Sequence, residues 1–271
     1  MNSAKSTASS TARSVQQHPA MRALITIGLI AYGIVHLLVG WIALQVAWGG
    51  DDQQADQQGA LRELAQTPVG TPLLWVLAVG LFALALWQLT QAVWGQTDED
   101  DDKKRALGRA RSVAKTVVYV ALGVATIKVA AGSGSSSGNA KSQGMTARLM
   151  SVPFGRVLVI VVGLVIIGVG VFSIVKGVKK SFTKDLGQSV PEPVLRFGQL
   201  GYIAKGAAIG VVGGLFVWAG LSYDPAKAGG LDEALRTVAT APVGPYLLTA
   251  MAIGFICFGI YCFFWARNPR R

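Results

Sequence analysis

Five polar side chains inside otherwise apolar segments are the residues of this chain with types and spacing suited to chemistry. Tyr32 and His36 stand four residues apart in one segment, and Lys115 and Tyr119 stand four apart in a second. Lys205 stands in a third, followed four residues later by Ile209. Spacing of four keeps each pair on one helix face. An ammonium and a phenol hydroxyl donate hydrogen bonds, and an imidazole donates or accepts. Such a set suits a small anion, an anionic lipid headgroup or a quinone. It does not suit carboxylate acid–base catalysis, because all 14 Asp and Glu residues fall outside the apolar segments. Ion-coupled transporters commonly keep an intramembrane carboxylate, and none stands here. The chain also lacks a P-loop, a dinucleotide-binding glycine pattern and a G-x-S-x-G elbow. No catalytic residue, metal site or cofactor is therefore assigned, and the chain reads as a non-enzyme. The cysteines, Cys257 and Cys262, are five residues apart. That puts them roughly 140° apart around a helix, as packing residues and not as a disulfide.

The polar positions admit more than one reading. Lys115 is ~6 Å along a helix from Arg111, and Lys205 is ~13 Å from Arg196. Both lysines can snorkel to headgroups, line a basic pocket, or hydrogen-bond helix carbonyls. His36 lies ~18 Å along the helix from Leu24, near mid-bilayer. A charged ring is costly there, so the imidazole is expected to be neutral. It is read either as a packed side chain bonded to Tyr119 or Tyr32, or as a contact for a quinone or lipid. A haem reading lacks a second histidine, since His18 is outside the apolar segments.

These residues must be positioned by membrane helices. The chain is 52% hydrophobic and only 14% charged, against about a quarter charged in soluble domains. Six apolar runs cover 24–46, 72–93, 113–131, 157–178, 200–221 and 246–265. Each approaches the ~20 residues that cross a bilayer, where helices satisfy their own backbone. The first run is longer than a secretory h-region and reads as a retained anchor. The runs are three copies of one hairpin. Ala31, Ala114 and Ala204 are each followed nine residues later by Gly40, Gly123 or Gly213. A Pro-x-Gly then precedes each second helix, at Pro68–Gly70, Pro153–Gly155 and Pro242–Gly244. The expected fold is an all-α integral membrane protein whose six transmembrane helices form three tandem parallel hairpin repeats with pseudo-threefold symmetry. The expected boundaries are a disordered tail over 1–21 and repeats over 22–97, 106–180 and 194–268. First helices facing one another would bring Tyr32, His36, Lys115, Tyr119 and Lys205 together.

The formal net charge of +11 is a topology signal, not a nucleic-acid footprint. Sixteen basic residues fall on the side of the termini and seven on the other. The positive-inside rule then places both termini in the cytoplasm. Trp48, Trp75 and Trp218 fall at one set of helix ends, and Trp94 and Trp265 at the other, as interfacial belts do. Between helices of the first and third repeats, short amphipathic helices are expected, with Leu64 and Val238 on their apolar sides. The second connection, 132–144, is Gly/Ser-rich and expected to be mobile. The acidic run 98–102 reads as a solvated loop. Gly206, Gly210 and Gly214 form a small-residue stripe on the fifth helix. With Gly40, Gly123 and Gly213 they are expected to serve helix packing.

The text Gly201-Tyr202-Ile203-Ala204-Lys205-Gly206, with the triplicated two-helix module, resembles the DUF1206 family. Tyr32 replaces the basic residue in the first copy, and Thr116 replaces the glycine in the second. The resemblance implies a multipass protein of the bacterial inner membrane with undefined function, and supplies no catalytic residues. The residues themselves suggest binding of membrane lipids or of a partner membrane protein. Transport of an anion or amphiphile, and a quinone- or haem-linked redox role, are the alternatives.

Overall fold

A computed structural model describes residues 19–49, 54–68, 70–94, 102–133, 137–186 and 190–268. The helices are α1 (Pro19–Ala47), α2 (Gln57–Ala65), α3 (Gly70–Trp94), α4 (Asp102–Ala130), α5 (Gly138–Met150), α6 (Gly155–Val178), α7 (Glu192–Ser222), α8 (Leu231–Ala239) and α9 (Gly244–Arg267). Six of them hold segments long and apolar enough to cross a membrane: Thr26–Ala47, Gly70–Thr90, Gly108–Ala130, Gly155–Val178, Glu192–Ser222 and Gly244–Arg267. Of the expected tail, 1–18 lie outside the described residues, and α1 begins at Pro19. Positions 98–101 of the acidic run also lie outside them.

The Pro-x-Gly signature has the same local cause in all three copies. The glycine N–H closes a tight turn, bonding to Thr67 O at 2.9 Å, Val152 O at 2.9 Å or Ala241 O at 2.8 Å. The residue before it is left-handed in the two described cases, Phe154 (φ 62°) and Val243 (φ 56°). This turn folds the start of each second helix back over the end of the short helix before it. A Cβ on Gly70 would lie 1.7 Å from Leu64 O, and one on Gly155 1.6 Å from Leu149 O. On Gly244 it would lie 2.1 Å from Ala239 O. No side chain fits there, so glycine is required by contact.

The chain divides into two compact units, one of Met1–Ala31 with Leu64–Gly134 and one of Tyr32–Glu63 with Ser135–Arg271. In the first, α3 packs on α4, and Gly123 sits against the Phe82 ring. In the second, α7 packs on both α6 and α9. There Gly40 of α1 sits against Ala252 O and Ile256 of α9, and Gly213 of α7 against Gly163 O and Ile167 of α6. Phe82, Ile167 and Ile256 each stand fourteen residues after their repeat's Pro. The shared glycine of each first helix thus meets the same register of a second helix, and that second helix belongs to another repeat. Such backbone approach is how helices associate in lipid, where burial of apolar surface supplies no drive.

Two expectations change. The stripe on α7 runs through Gly206, the Gly210 backbone and Gly213: a Cβ on Gly206 would lie 2.6 Å from Gly170 O, and one on Gly170 2.8 Å from Gly210 N, while a Cβ on Gly210 itself would meet nothing. Gly214 faces open space, because the seam with α6 follows spacing of four then three. The second connection is not wholly loop, since α5 occupies Gly138–Met150. Ser137 caps it, its Oγ accepting from Ala140 N–H at 3.1 Å, a local signal that outweighs the Gly/Ser composition. Positions 134–136 lie outside the described residues. In α2 and α8 the buried apolar side chains are the equivalent pairs Ala60 and Ala234, and Leu61 and Leu235, with Leu64 and Val238 half-buried.

Gly213→Ala is expected to lower stability by about 1–3 kcal/mol through overpacking against α6. Gly214→Ala is expected to be neutral or slightly stabilising. Thermal unfolding of the two variants in detergent checks the contrast.

Candidate functional site

The second unit assembles an aromatic cluster around one lysine. On α1, Tyr32 and His36 lie one turn apart. Gly33 between them allows α1 to approach α9, where a Cβ on it would lie 3.0 Å from Gly259 O and 3.2 Å from the Cys262 Cβ. From α9 come Phe255, Phe258 and Tyr261, spaced three apart on one face. From α7 come Tyr202 and Lys205, drawn against α9 because Gly201 abuts the Phe258 backbone and Gly254 abuts the Ala204 side chain. A short 3-10 turn, Ser181–Asp185, inserts Phe182 over Gly198. Phe182 stacks on Tyr202 with centroids 5.3 Å apart and planes at 17°. Phe182, Tyr202, Phe258, Tyr261 and Cys262 form one buried cluster against which Tyr32 packs.

Lys205 Nζ donates to the Tyr32 phenol oxygen. It also lies 4.6 Å from the Phe258 ring centroid and 5.0 Å from that of Tyr32. Aromatic faces attract a cation by their quadrupole, and more strongly when water is excluded. Lys176 Nζ stands 4.9 Å over the Tyr202 ring on the same cluster. The described ion pairs, Arg196–Glu192 and Arg236–Asp232, leave Lys205 without a carboxylate among the described side chains. His36 is 3% exposed, and its Nδ1 lies 2.8 Å from the Tyr32 carbonyl oxygen. A carbonyl only accepts, so Nδ1 carries the proton and Nε2 of the neutral ring is an acceptor. The imidazole rests against Tyr32 and Phe258, with centroids 4.3 and 4.7 Å away.

Of the five residues singled out by sequence, Tyr32, His36 and Lys205 stand together here. Lys115 and Tyr119 belong to the other unit, on α4, where Lys115 is exposed and Tyr119 half-buried. The histidine's helix bond goes to Tyr32, not to Tyr119. Sequence reasoning missed Phe258, Tyr202, Tyr261, Phe182 and Lys176. The spacing of three from Phe255 through Phe258 to Tyr261 was the available signal, hidden in a uniformly apolar helix. Cys257 and Cys262 are buried free thiols, as their spacing suggested.

Described residues that are all-helical, with six candidate membrane spans in three repeated hairpins, define a multipass membrane protein. The family described as Domain of Unknown Function (DUF1206) matches residues 27–95, 110–180 and 200–268. The chain belongs to that family. It is similar to "Uncharacterized protein YxxB" of Bacillus subtilis (strain 168), at 26% identity over 240 residues, covering 87% of this chain and 86% of that one. No solved structure matches it.

Tyr32→Phe removes the acceptor of the Lys205 ammonium while keeping the ring. A loss of about 1–3 kcal/mol is expected in the parent chain, and much less beside Lys205→Met. A double-mutant cycle by thermal unfolding measures that coupling.

Proposed function

We propose that this protein is a non-enzymatic component of the bacterial cytoplasmic membrane that binds an anionic amphiphile, with both termini in the cytoplasm. The observation that carries this reading is Lys205, held by the Tyr32 hydroxyl and the Phe258 face without a carboxylate among the described side chains. A lysine there retains two further N–H donors, and the Tyr32 hydroxyl, accepting from the ammonium, has its own proton to donate. Two convergent donors recognise a phosphate or carboxylate oxygen. The surrounding rings and aliphatic helix faces suit the apolar part of the same molecule. A membrane phospholipid has both parts and is always at hand. Histidine at this depth is unusual enough to mark a site, and its Nε2 offers an acceptor for a headgroup hydroxyl.

Binding and transport differ in outcome, not in the first contact. A site built on Lys205, with Lys176 on the same cluster and no coupling carboxylate among the described side chains, fits retention of a lipid better than ion-driven transport.

Native membranes extracted in mild detergent should yield protein with co-purifying anionic phospholipid, detected by mass spectrometry. Lys205→Ala is expected to reduce its occupancy about tenfold or more, the equivalent of a lost charge-assisted hydrogen bond of ~1.5–3 kcal/mol. Equal lipid profiles for the parent and the variant would remove the proposed role of Lys205.

A further inference from the structure

We propose that Asp56 and Asp232 form a carboxylate latch that fastens the three inter-helix connections together and grips harder when acidified. The latch lies at the helix ends remote from the termini and is independent of the Lys205 site. Parts of all three connections meet there within the second unit, which holds Tyr32–Glu63 and Ser135–Arg271. Asp56 precedes α2 and caps it, its Oδ1 accepting from Gln58 N–H at 2.9 Å and Gly59 N–H at 2.8 Å. Gly138, at the start of α5, closes on the other oxygen, since a Cβ there would lie 2.6 Å from Asp56 Oδ2. Asp232, in the first turn of α8, reaches back to the first connection, its Oδ1 accepting from Ala55 N–H at 2.8 Å. Its Oδ2 accepts from Asn139 Nδ2 of α5 at 3.2 Å. Asn139 Oδ1 in turn accepts from Gly230 N–H at 2.8 Å. Two aspartates and one asparagine therefore join segments that are distant in sequence.

The charges around the latch are unevenly shared. Arg236 Nε lies 3.2 Å from both oxygens of Asp232 and balances that carboxylate. Glu233 reaches the cluster through Asn139 Nδ2 at 3.4 Å. Arg62, on Asp56's own helix, bonds Gln54 Oε1 at 3.2 Å. From α5 the group facing Asp56 is the uncharged Gly138 backbone, while Asn139, also uncharged, faces Asp232. Asp56 is thus served by backbone N–H groups, 3% exposed, and near a second carboxylate that is 5% exposed. Burial away from water pushes its carboxyl above the ordinary carboxylate range. Backbone bonds oppose this, and the Asp232 charge adds to it. A carboxyl raised in the folded state contributes stability that is fully present below its unfolded pKa and is lost as pH rises through the folded one. Acid therefore tightens the latch, and alkali loosens it by charging a buried group beside another.

Hydrogen exchange of the Ala55, Gln58 and Gly59 amides reads the latch directly, in the full chain in detergent and corrected for intrinsic rates. From alkaline to mildly acidic pH, protection is expected to rise by up to about tenfold per pH unit between the unfolded and folded pKa. Asp56→Asn keeps an acceptor for Gln58 and Gly59 and is expected to abolish the slope. Asp232→Asn removes the neighbouring charge together with one acceptor and the Arg236 pair, and is expected to shallow the slope read at Gln58 and Gly59, whose bonds go to Asp56, which covers the case where Asp56→Asn does not fold. A flat profile in the parent chain overturns the proposal. So does an undiminished slope in either aspartate variant.

Discussion

Close approach of helix backbones at glycine is the constraint on which the rest of this structure depends. In lipid there is no gain from hiding one apolar helix against another. Helices that are to stay together must make contacts that lipid chains cannot make. Here a glycine of one helix lies on a carbonyl of its neighbour: Gly40 on Ala252 O, Gly213 on Gly163 O, Gly206 on Gly170 O. These places leave no room for a Cβ. They also select the partner, since in each copy a first helix seats on a second helix from a different repeat. Interleaving of this kind makes the hairpin a unit of sequence but not a unit of packing.

Seating α1 on α9 has a chemical consequence. It brings Tyr32 within hydrogen-bond reach of Lys205, two positions that are equivalent in their own repeats. A tyrosine and a lysine facing each other satisfy part of the ammonium's donor capacity without introducing a second charge. Phe258 and the Tyr32 ring supply cation–π attraction around it, and His36 is tethered to its own helix. The polar groups are therefore held by side chains which the copies do not share, on a scaffold which they do. At the opposite helix ends, the tight Pro-x-Gly turns fold each second helix back over its connection, and the Asp56–Asp232 cluster joins those connections.

Much of the scaffold was legible in the chain. Six spans follow from apolar runs of bilayer length, and the three copies follow from Ala, Gly and Pro-x-Gly recurring at fixed intervals. The glycines announced close contacts because glycine is otherwise a poor helix residue. Gly214 misled, since spacing of four on α7 matches the seam only as far as Gly210. The candidate site was half legible. Tyr32, His36 and Lys205 stood out as polar residues in apolar text. Phe258 and Phe182 did not, because an aromatic residue in a membrane helix or beside a basic run gives no sign of which cation it faces. The helix α5 was hidden by composition, as its Ser137 cap and Asn139 act through single hydrogen bonds. The Asp56–Asp232 contact was hidden because it depends on segments far apart in sequence.

The packing of α1 on α9 is open to a direct chemical measurement. A Cβ at Gly33 would stand 3.2 Å from the Cβ of Cys262, and small relaxation reaches the ~3.5–4.5 Å of a disulfide. Gly33→Cys is therefore expected to form an intramolecular disulfide with the native Cys262 on mild oxidation in membranes. Thiol labelling after denaturation would show a single accessible cysteine, Cys257. The same substitution beside Cys262→Ser would leave both remaining thiols free. If Gly33→Cys retains three free thiols after oxidation, α1 does not lie on α9, and the geometry of the Lys205 site falls with it.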